Sequence, residues 1–404
     1  MIQNTTINKD RLDIVDSLRG FALLAIVLLH NVEHYNLFYI PENMPEWLYS
    51  LDKVVWDTTF FLLAGKAYAT FSLLFGFSFY IQFRNAQQQG YDYRARFAWR
   101  MFLLALFSQF HALFYNGDIL LLYAVVGLVL IPVSKLKDRT VLILAVICLL
   151  QPLELIRIVY AFIDPEFTSY GHYFRKYARL AEPVVQNGNF YEVLRSNIWH
   201  GQLYSNLWQV ENGRLFQTAA LFMFGMLLGR KTYFVKSSES VRFWKKTLVY
   251  SIIAFIPLYV AKTYIPGIIE SKVLKMPVNI LLPSLANFAF MCFLVSGFTL
   301  LWFRSGGYKF QRLLTPYGRM TLTNYIGQSI MGVVIYYGYG LGLYKYTGAT
   351  ASILIATGIF CIQLLFSRWW LSAHRQGPLE YLWKKGTWIG VKKAVNDENN
   401  SKTP

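Results

Sequence analysis

Long apolar runs recur along this chain, and they constrain its fold more than any other feature. A helix that crosses a bilayer needs about 20 mostly apolar residues, because hydrocarbon satisfies no exposed backbone group. Runs of that kind fall at roughly 15–34, 57–83, 97–115, 118–134, 140–163, 213–230, 246–264, 278–303, 319–343 and 349–371. The expected fold is all-α, a single polytopic transmembrane bundle of about ten spans over residues 1–371. Composition agrees: only 15% of residues are charged, against about 25% in a soluble protein. Between the fifth and sixth runs lies the loop 164–212, the one place for a small extramembrane subdomain.

Lys and Arg set the expected orientation. They gather in every second connection: Lys9 and Arg11; Arg84, Arg94 and Arg96; Lys135, Lys137 and Arg139; Arg230, Lys231, Lys236, Arg242, Lys245 and Lys246; Arg304, Lys309 and Arg312; and Lys384, Lys385, Lys392 and Lys393. That side is expected to be cytoplasmic in a cell membrane, with both termini on it. The net charge of +17 then needs no nucleic acid, since positive-inside topology and contact with anionic headgroups of the lipid bilayer account for it. Cys148, Cys292 and Cys361 sit in apolar runs at unrelated spacings, so neither a disulfide framework nor a metal set is expected. Residues 372–391 read as a helix on the cytoplasmic interface, and 392–404 as a disordered tail.

Polar groups inside spans are costly, which makes each a candidate for function. In the first run, Asp16 and Arg19 precede His30. The eleven residues from Arg19 to His30 place both on nearly one helix face, about 16 Å apart along the axis. Arg19 reads either as a flank charge paired with Asp16 or as part of a site. His30 reads either as a histidine bonded within the bundle or as a base. His111 ends the third run, and Asp118 follows the Asn116-Gly117 turn. Asp118 suits the N-cap of the next helix and equally suits orienting a histidine. Two His and one Asp at similar depth make the leading catalytic constellation. Lys66 interrupts an apolar stretch. Asn324 and Gln328 share one face of the ninth run, where bonding between helices is the plainer reading. Arg94, Arg96, Arg100 and Arg319 stand where a phosphate could be met.

Several runs resemble those of the YeiB-like family, a domain of unknown function numbered 418. They are D-S-L-R-G-F-A-L-L-A-I at 16–26, F-S-L-L-F-G at 71–76, H-A-L-F-Y-N-G-D-I-L-L-L-Y-A at 111–124, G-R-L-F-Q at 213–217 and F-G-M-L-L-G-R at 224–230. G-R-M-T-L-T-N-Y-I-G-Q-S at 318–329, Y-Y-G-Y-G-L-G-L at 336–343 and G-P-L-E-Y-L-W at 377–383 complete the set. That family is similar to a wider group of transmembrane acyltransferases that includes the heparan-glucosaminide acetyltransferase and the acyltransferase-3 proteins. Arg19 and His30 match the acyltransferase-3 spacing. The heparan enzyme carries its His after the first helix, where His34 is the nearest counterpart, so both His30 and His34 stay candidates for the base.

The resemblance and the Arg19/His30 geometry together imply an acyltransferase. Acetyl-CoA or another acyl-CoA would be the cosubstrate, its phosphates held by Arg19, Arg94, Arg96 and Arg319. His30 would deprotonate an extracytoplasmic acceptor, a sugar or other envelope metabolite, or take the acyl group itself. His111 with Asp118 would position it or serve as a second acid/base, and Asn324 or Gln328 would face the oxyanion. Only relatives suggest a homodimer. The competing reading is a small-solute transporter, although no internal repeat of the transporter kind is visible.

Overall fold

The computed structural model describes residues 12–42, 44–164 and 172–390. Lys9, Arg11, Lys392, Lys393 and the tail 392–404 lie outside them. The described residues form helices and turns with no strand. In chain order the helices are α1 (Asp13–Val32), α2 (Glu46–Leu63), α3 (Ala67–Gln88), α4 (Arg94–Ala112), α5 (Leu120–Gly127), α6 (Leu130–Val133), α7 (Asp138–Leu149), α8 (Pro152–Ile163), α9 (Tyr173–Asn187), α10 (Phe190–Ser196), α11 (Gln202–Glu211), α12 (Arg214–Arg230), α13 (Ser238–Ile268), α14 (Lys272–Ser305), α15 (Lys309–Arg319), α16 (Thr321–Tyr336), α17 (Ala349–Ala373) and α18 (Pro378–Thr387).

Among the described residues, four helical stretches are long and apolar enough to cross a membrane: Glu46–Gln88, α13, α14 and α17. The bent pair α7–α8 makes a fifth if counted as one span. Only 6% of the most apolar window of α13 is buried. A helix so apolar and so exposed is matched to lipid rather than to water.

The elements depart from the apolar runs where backbone chemistry intervenes. The run 140–163 is broken by 49° between α7 and α8. Gln151 there has φ 54, and Pro152 disfavours a helical residue before it. The run 118–134 divides into α5 and α6 around Leu128 and Val129. The run 319–343 ends early, at Tyr336, because G-Y-G-L-G cannot hold a helix cheaply. The loop 164–212 contributes α9, α10, a π turn (Asn197–Gly201) and α11.

The connections meet at two ends. At one, which we call the basic end, Arg230 donates to Asp138 and to the carbonyls of Ser134 and Leu136. Arg319 pairs there with Asp13, and Tyr91 meets Trp388. At the opposite end the side chain of Asn36 donates to Asn116, that of Asn197 to the Leu113 carbonyl, and the Gly338 N–H to the Val185 carbonyl.

Several of the quoted motifs explain the packing. A Cβ on Gly76 would sit 1.9 Å from the Phe222 carbonyl oxygen, and one on Gly225 would sit 1.8 Å from that of Leu73. These two glycines let α3 and α12 approach backbone to backbone. Gly20 and Gly318 do the same for α1 and α15, against Leu314 and Asp16. Without a hydrophobic drive between helices in lipid, such close approach is a main source of association.

Candidate functional site

The site is built on the hairpin between α4 and α5. His111 is fully buried near the end of α4, and its Nδ1 lies 2.6 Å from Asp118 Oδ1. The same carboxylate accepts from the Ser108 hydroxyl and, at 3.3 Å, from the Leu121 N–H at the start of α5. The N-cap position of α5 is Ile119 rather than Asp118, so Asp118 contacts the first turn from one residue before the cap while it orients the histidine. Its main-chain carbonyl accepts from Ser205 at 3.1 Å and Gln209 at 2.8 Å on α11. A carboxylate at Nδ1 assigns the proton to that nitrogen and leaves the Nε2 lone pair as a base. His111 Nε2 meets no hydrogen-bonding group among the described residues.

Tyr115, one turn past His111, stands between the two candidate histidines. Its ring centroid is 5.8 Å from that of His111 and 5.4 Å from that of His30. His30 Nδ1 is shared between the Glu33 carboxylate at 3.1 Å and the Tyr115 hydroxyl at 3.2 Å. His34 is elsewhere. The chain turns through left-handed geometry at His34, Tyr35, Asn36 and Phe38, which sends His34 toward Ser352 at 3.0 Å and Thr347 at 3.3 Å. The same turn carries Tyr35 back into the core against Gly332, where a Cβ would collide with its ring at 1.9 Å.

A cavity of about 630 Å³ runs along α3. Tyr68, Phe71, Phe75, Ser78, Gln82, Asn85 and Gln89 line it, a three–four spacing that puts all seven on one helix face. From Tyr68 to Gln89 that face is about 30 Å long. Arg19, Arg100, Gln82, Asn85 and Lys384 make the half toward the basic end polar, while Tyr68, Tyr123 and Tyr325 enclose the deep half. The Tyr325 ring also lies tilted against His111, its centroid 5.1 Å away. The slot thus ends one ring short of the histidine.

Helix α18 closes one wall of this slot. The Glu380 carboxylate accepts from the Leu322 N–H at 2.6 Å, the Thr323 N–H at 3.1 Å and the Thr323 hydroxyl at 2.6 Å. It caps the start of α16, where a negative charge is favoured. Burial nevertheless pushes its carboxyl above the ordinary range, and the hydrogen bonds only partly offset that. The Trp383 indole donates to the Arg100 carbonyl at 3.0 Å, and the Arg100 guanidinium stacks 3.6 Å above the Trp383 ring. The interfacial helix expected over 372–391 is shorter, Pro378–Thr387, and it packs on the bundle.

The arginine candidates divide. Arg19 and Arg100 line the slot; Arg19 also binds Asp16 at 2.7 Å and the Ser78 hydroxyl. Arg94, Arg96 and Arg319, expected with Arg19 to meet phosphate, do not line it. Arg94 pairs with exposed Asp92, Arg96 donates to the carbonyls of Thr387 and Ile389, and Arg319 pairs with Asp13. Asn324 bonds to the Tyr317 carbonyl and to Ser367, the inter-helix role. Gln328 is buried with neither amide atom partnered among the described residues. Lys66 lies in a separate cleft toward the opposite end, with Arg214 and Lys262. Tyr115, Tyr325, Trp383 and Glu380 were not candidates in the sequence. The signal for Glu380 was its place in G-P-L-E-Y-L-W; an aromatic in an aromatic-rich membrane chain gives none.

The sequence profile of the family described as "Protein of unknown function (DUF418)" matches residues 228–390. Over nearly its whole length the chain is 28% identical to "Uncharacterized protein YxaH" of Bacillus subtilis (strain 168), covering 95% of this chain and 96% of the relative. It is 25% identical to "Uncharacterized 39.9 kDa protein in amylase 3'region" of Bacillus acidopullulyticus, with 94% of each covered. It is 27% identical to "Uncharacterized protein YeiB" of Escherichia coli (strain K12), covering 95% and 97%. The likeness to the YeiB-like family therefore stands. No solved structure matches the chain significantly.

Proposed function

We propose that this relative of YxaH and YeiB is a ten-span acyltransferase of the cell membrane, with its basic end and both termini cytoplasmic. It moves an acyl group from cytoplasmic acyl-CoA to a hydroxyl or amine acceptor that arrives from the other side. The observation that carries the reading is the slot along α3, which opens toward the basic end and stops at Tyr325 beside His111. A polar mouth with Arg19 and Arg100 suits a phosphate-bearing head, and an aromatic deep half suits a thin, largely apolar arm.

In this reading His111 is preferred to His30 as the base, because Asp118 holds its Nδ1 and its Nε2 is uncommitted. His111 Nε2 takes the proton of the acceptor as the acceptor oxygen or nitrogen attacks the thioester carbonyl. Asp118 stabilises the imidazolium that results. Gln328, three residues beyond Tyr325, supplies an amide donor to the oxyanion. Collapse breaks the carbon–sulfur bond, and the imidazolium returns its proton to the leaving thiolate.

The test is acetyl-CoA turnover by the purified protein, scanned over hydroxyl and amine acceptors, for wild type and His111→Ala. Turnover lost in His111→Ala, with acetyl-CoA binding retained, supports the reading. Absence of saturable acyl-CoA binding by folded wild type sinks it.

One observation favours a second reading, a small-solute transporter. The Arg214 guanidinium lies 4.2 Å from the Tyr68 ring; Tyr68 lines the slot, and Arg214 lines the cleft on the other side. Two cavities that back onto one side-chain pair suit alternating access. Solute flux in proteoliposomes that survives His111→Ala would select this reading.

A further inference from the structure

The cleft toward the opposite end has a chemistry of its own. It is an open cleft of about 740 Å³ between the end of α2, the starts of α3 and α12, and the facing sides of α13 and α14. Three cations line it, Lys66, Arg214 and Lys262, with one carboxylate, Asp57. No ion pair joins any of the three to a carboxylate among the described residues.

Lys66 is the unusual member. The residue is buried, with a relative exposure of 3%. Its ammonium has one hydrogen-bond contact, the Phe60 carbonyl at 3.5 Å. The rings of Phe61 and Phe290 lie 5.8 and 5.5 Å away. An ammonium carries three donors, and a charge taken from water without a partner is costly. Lysines that only snorkel reach water instead. Gly65 adds to the construction. It has φ +77, and a Cβ there would lie 2.2 Å from the Asn287 amide nitrogen, so a glycine both makes the turn and admits a neutral donor to the cleft. The Arg214 guanidinium lies 4.2 Å from the Tyr68 ring and 5.3 Å from that of Trp208, donates to Gln217 at 3.0 Å, and is hydrogen-bonded to the Tyr68 side chain. A guanidinium carries five donors, more than these contacts use. A fixed arginine fork beside a lysine point charge is the pairing that recognises phosphate.

We infer that this cleft binds a phosphate-type oxyanion, with Lys66 as its buried counter-ion and Arg214 and Lys262 completing the charge. The volume exceeds that of a bare ion and falls in the range of small-molecule sites, about 300–1,000 Å³. The group is therefore carried either by a phospholipid headgroup or by a soluble phosphate-bearing solute. The inference does not depend on acyl transfer.

The experiment uses the full-length chain in nanodiscs. In one arm the lipid is phosphatidylcholine alone, and inorganic phosphate replaces chloride at constant ionic strength. In the other arm phosphate is left out and phosphatidylglycerol is mixed into the disc. The readout is the thermal unfolding midpoint. Wild type should show saturable stabilisation in one arm, and that arm identifies the source. Lys66→Met and Lys262→Gln should each raise the half-saturating concentration at least about tenfold. Should Lys66→Met fail to fold, Lys262→Gln, on a half-buried position, still decides. No stabilisation in either wild-type arm, or stabilisation unchanged in the folded variants, overturns the inference.

Discussion

His111 Nδ1 and Asp118 Oδ1 are 2.6 Å apart across the turn that joins α4 to α5. A buried acid and a buried imidazole at that distance behave as one unit, and the unit is anchored on three helices, because the Asp118 carbonyl is also gripped by Ser205 and Gln209.

Asp118→Asn should therefore damage chemistry more than binding. The amide donates where the carboxylate accepts, which turns the imidazole to the wrong tautomer. Turnover of acetyl-CoA should fall by roughly 10²–10⁴-fold, with affinity changed by less than about threefold. Calorimetry and a thiol-release assay on the same preparation separate the two quantities.

The arginines give a sharper contrast. Arg19→Ala and Arg100→Ala should each weaken acyl-CoA binding at least about tenfold, since charge-assisted contacts of this kind contribute about 1.5–3 kcal/mol. Arg94→Ala and Arg319→Ala, outside the slot, should leave the dissociation constant within about threefold. Equal effects at all four positions would show that the basic end attracts the ligand only through its general field.

Gly225→Ala should destabilise the bundle by about 1–3 kcal/mol, because its new methyl meets the Leu73 carbonyl at 1.8 Å. Gly297→Ala, on α14 with open space around it, should lower the melting temperature in detergent far less.

Glu380 sets a pH dependence. Burial raises its carboxyl above the ordinary range, so the folded chain holds this proton more tightly than the unfolded chain does. Through the window from the ordinary carboxylate range up to that raised value, stability falls as pH rises, and acidification restores it. Tryptic cleavage at Lys384 and Lys385 should be slowest at the acidic side of the window. Glu380→Gln should flatten the dependence. Glu380→Ala should release α18 at any pH, at a cost of about 1–3 kcal/mol for the donors left unpaired.

The sequence made the helical, membrane-type character plain, because lipid writes long apolar runs. It was less informative about breaks. Gln151 bends α7–α8 through its left-handed backbone, and only Pro152 hinted at it. The ends of α13 and α14 extend past their apolar runs, since polar helical turns leave no hydropathy signal. The pairing of His111 with Asp118 was legible, as both lie on one short hairpin. The position of His34 was not: a left-handed run of His34, Tyr35 and Asn36 has no glycine to announce it. Which arginines face the slot was equally hidden, because the wall that selects Arg100 over Arg96 comes from Trp383, nearly three hundred residues downstream.

That last wall has a consequence for biosynthesis. Among the described residues, every helix long enough to cross a membrane precedes residue 374, so a nascent chain can be threaded into the bilayer before α18 leaves the ribosome. Until then α16 lacks its Glu380 cap and the groove beside α3 lacks the face that Trp383 provides. A product truncated before Pro378 should insert, reach its compartment and still hold no slot. The slot is complete only when the last described helix has been made.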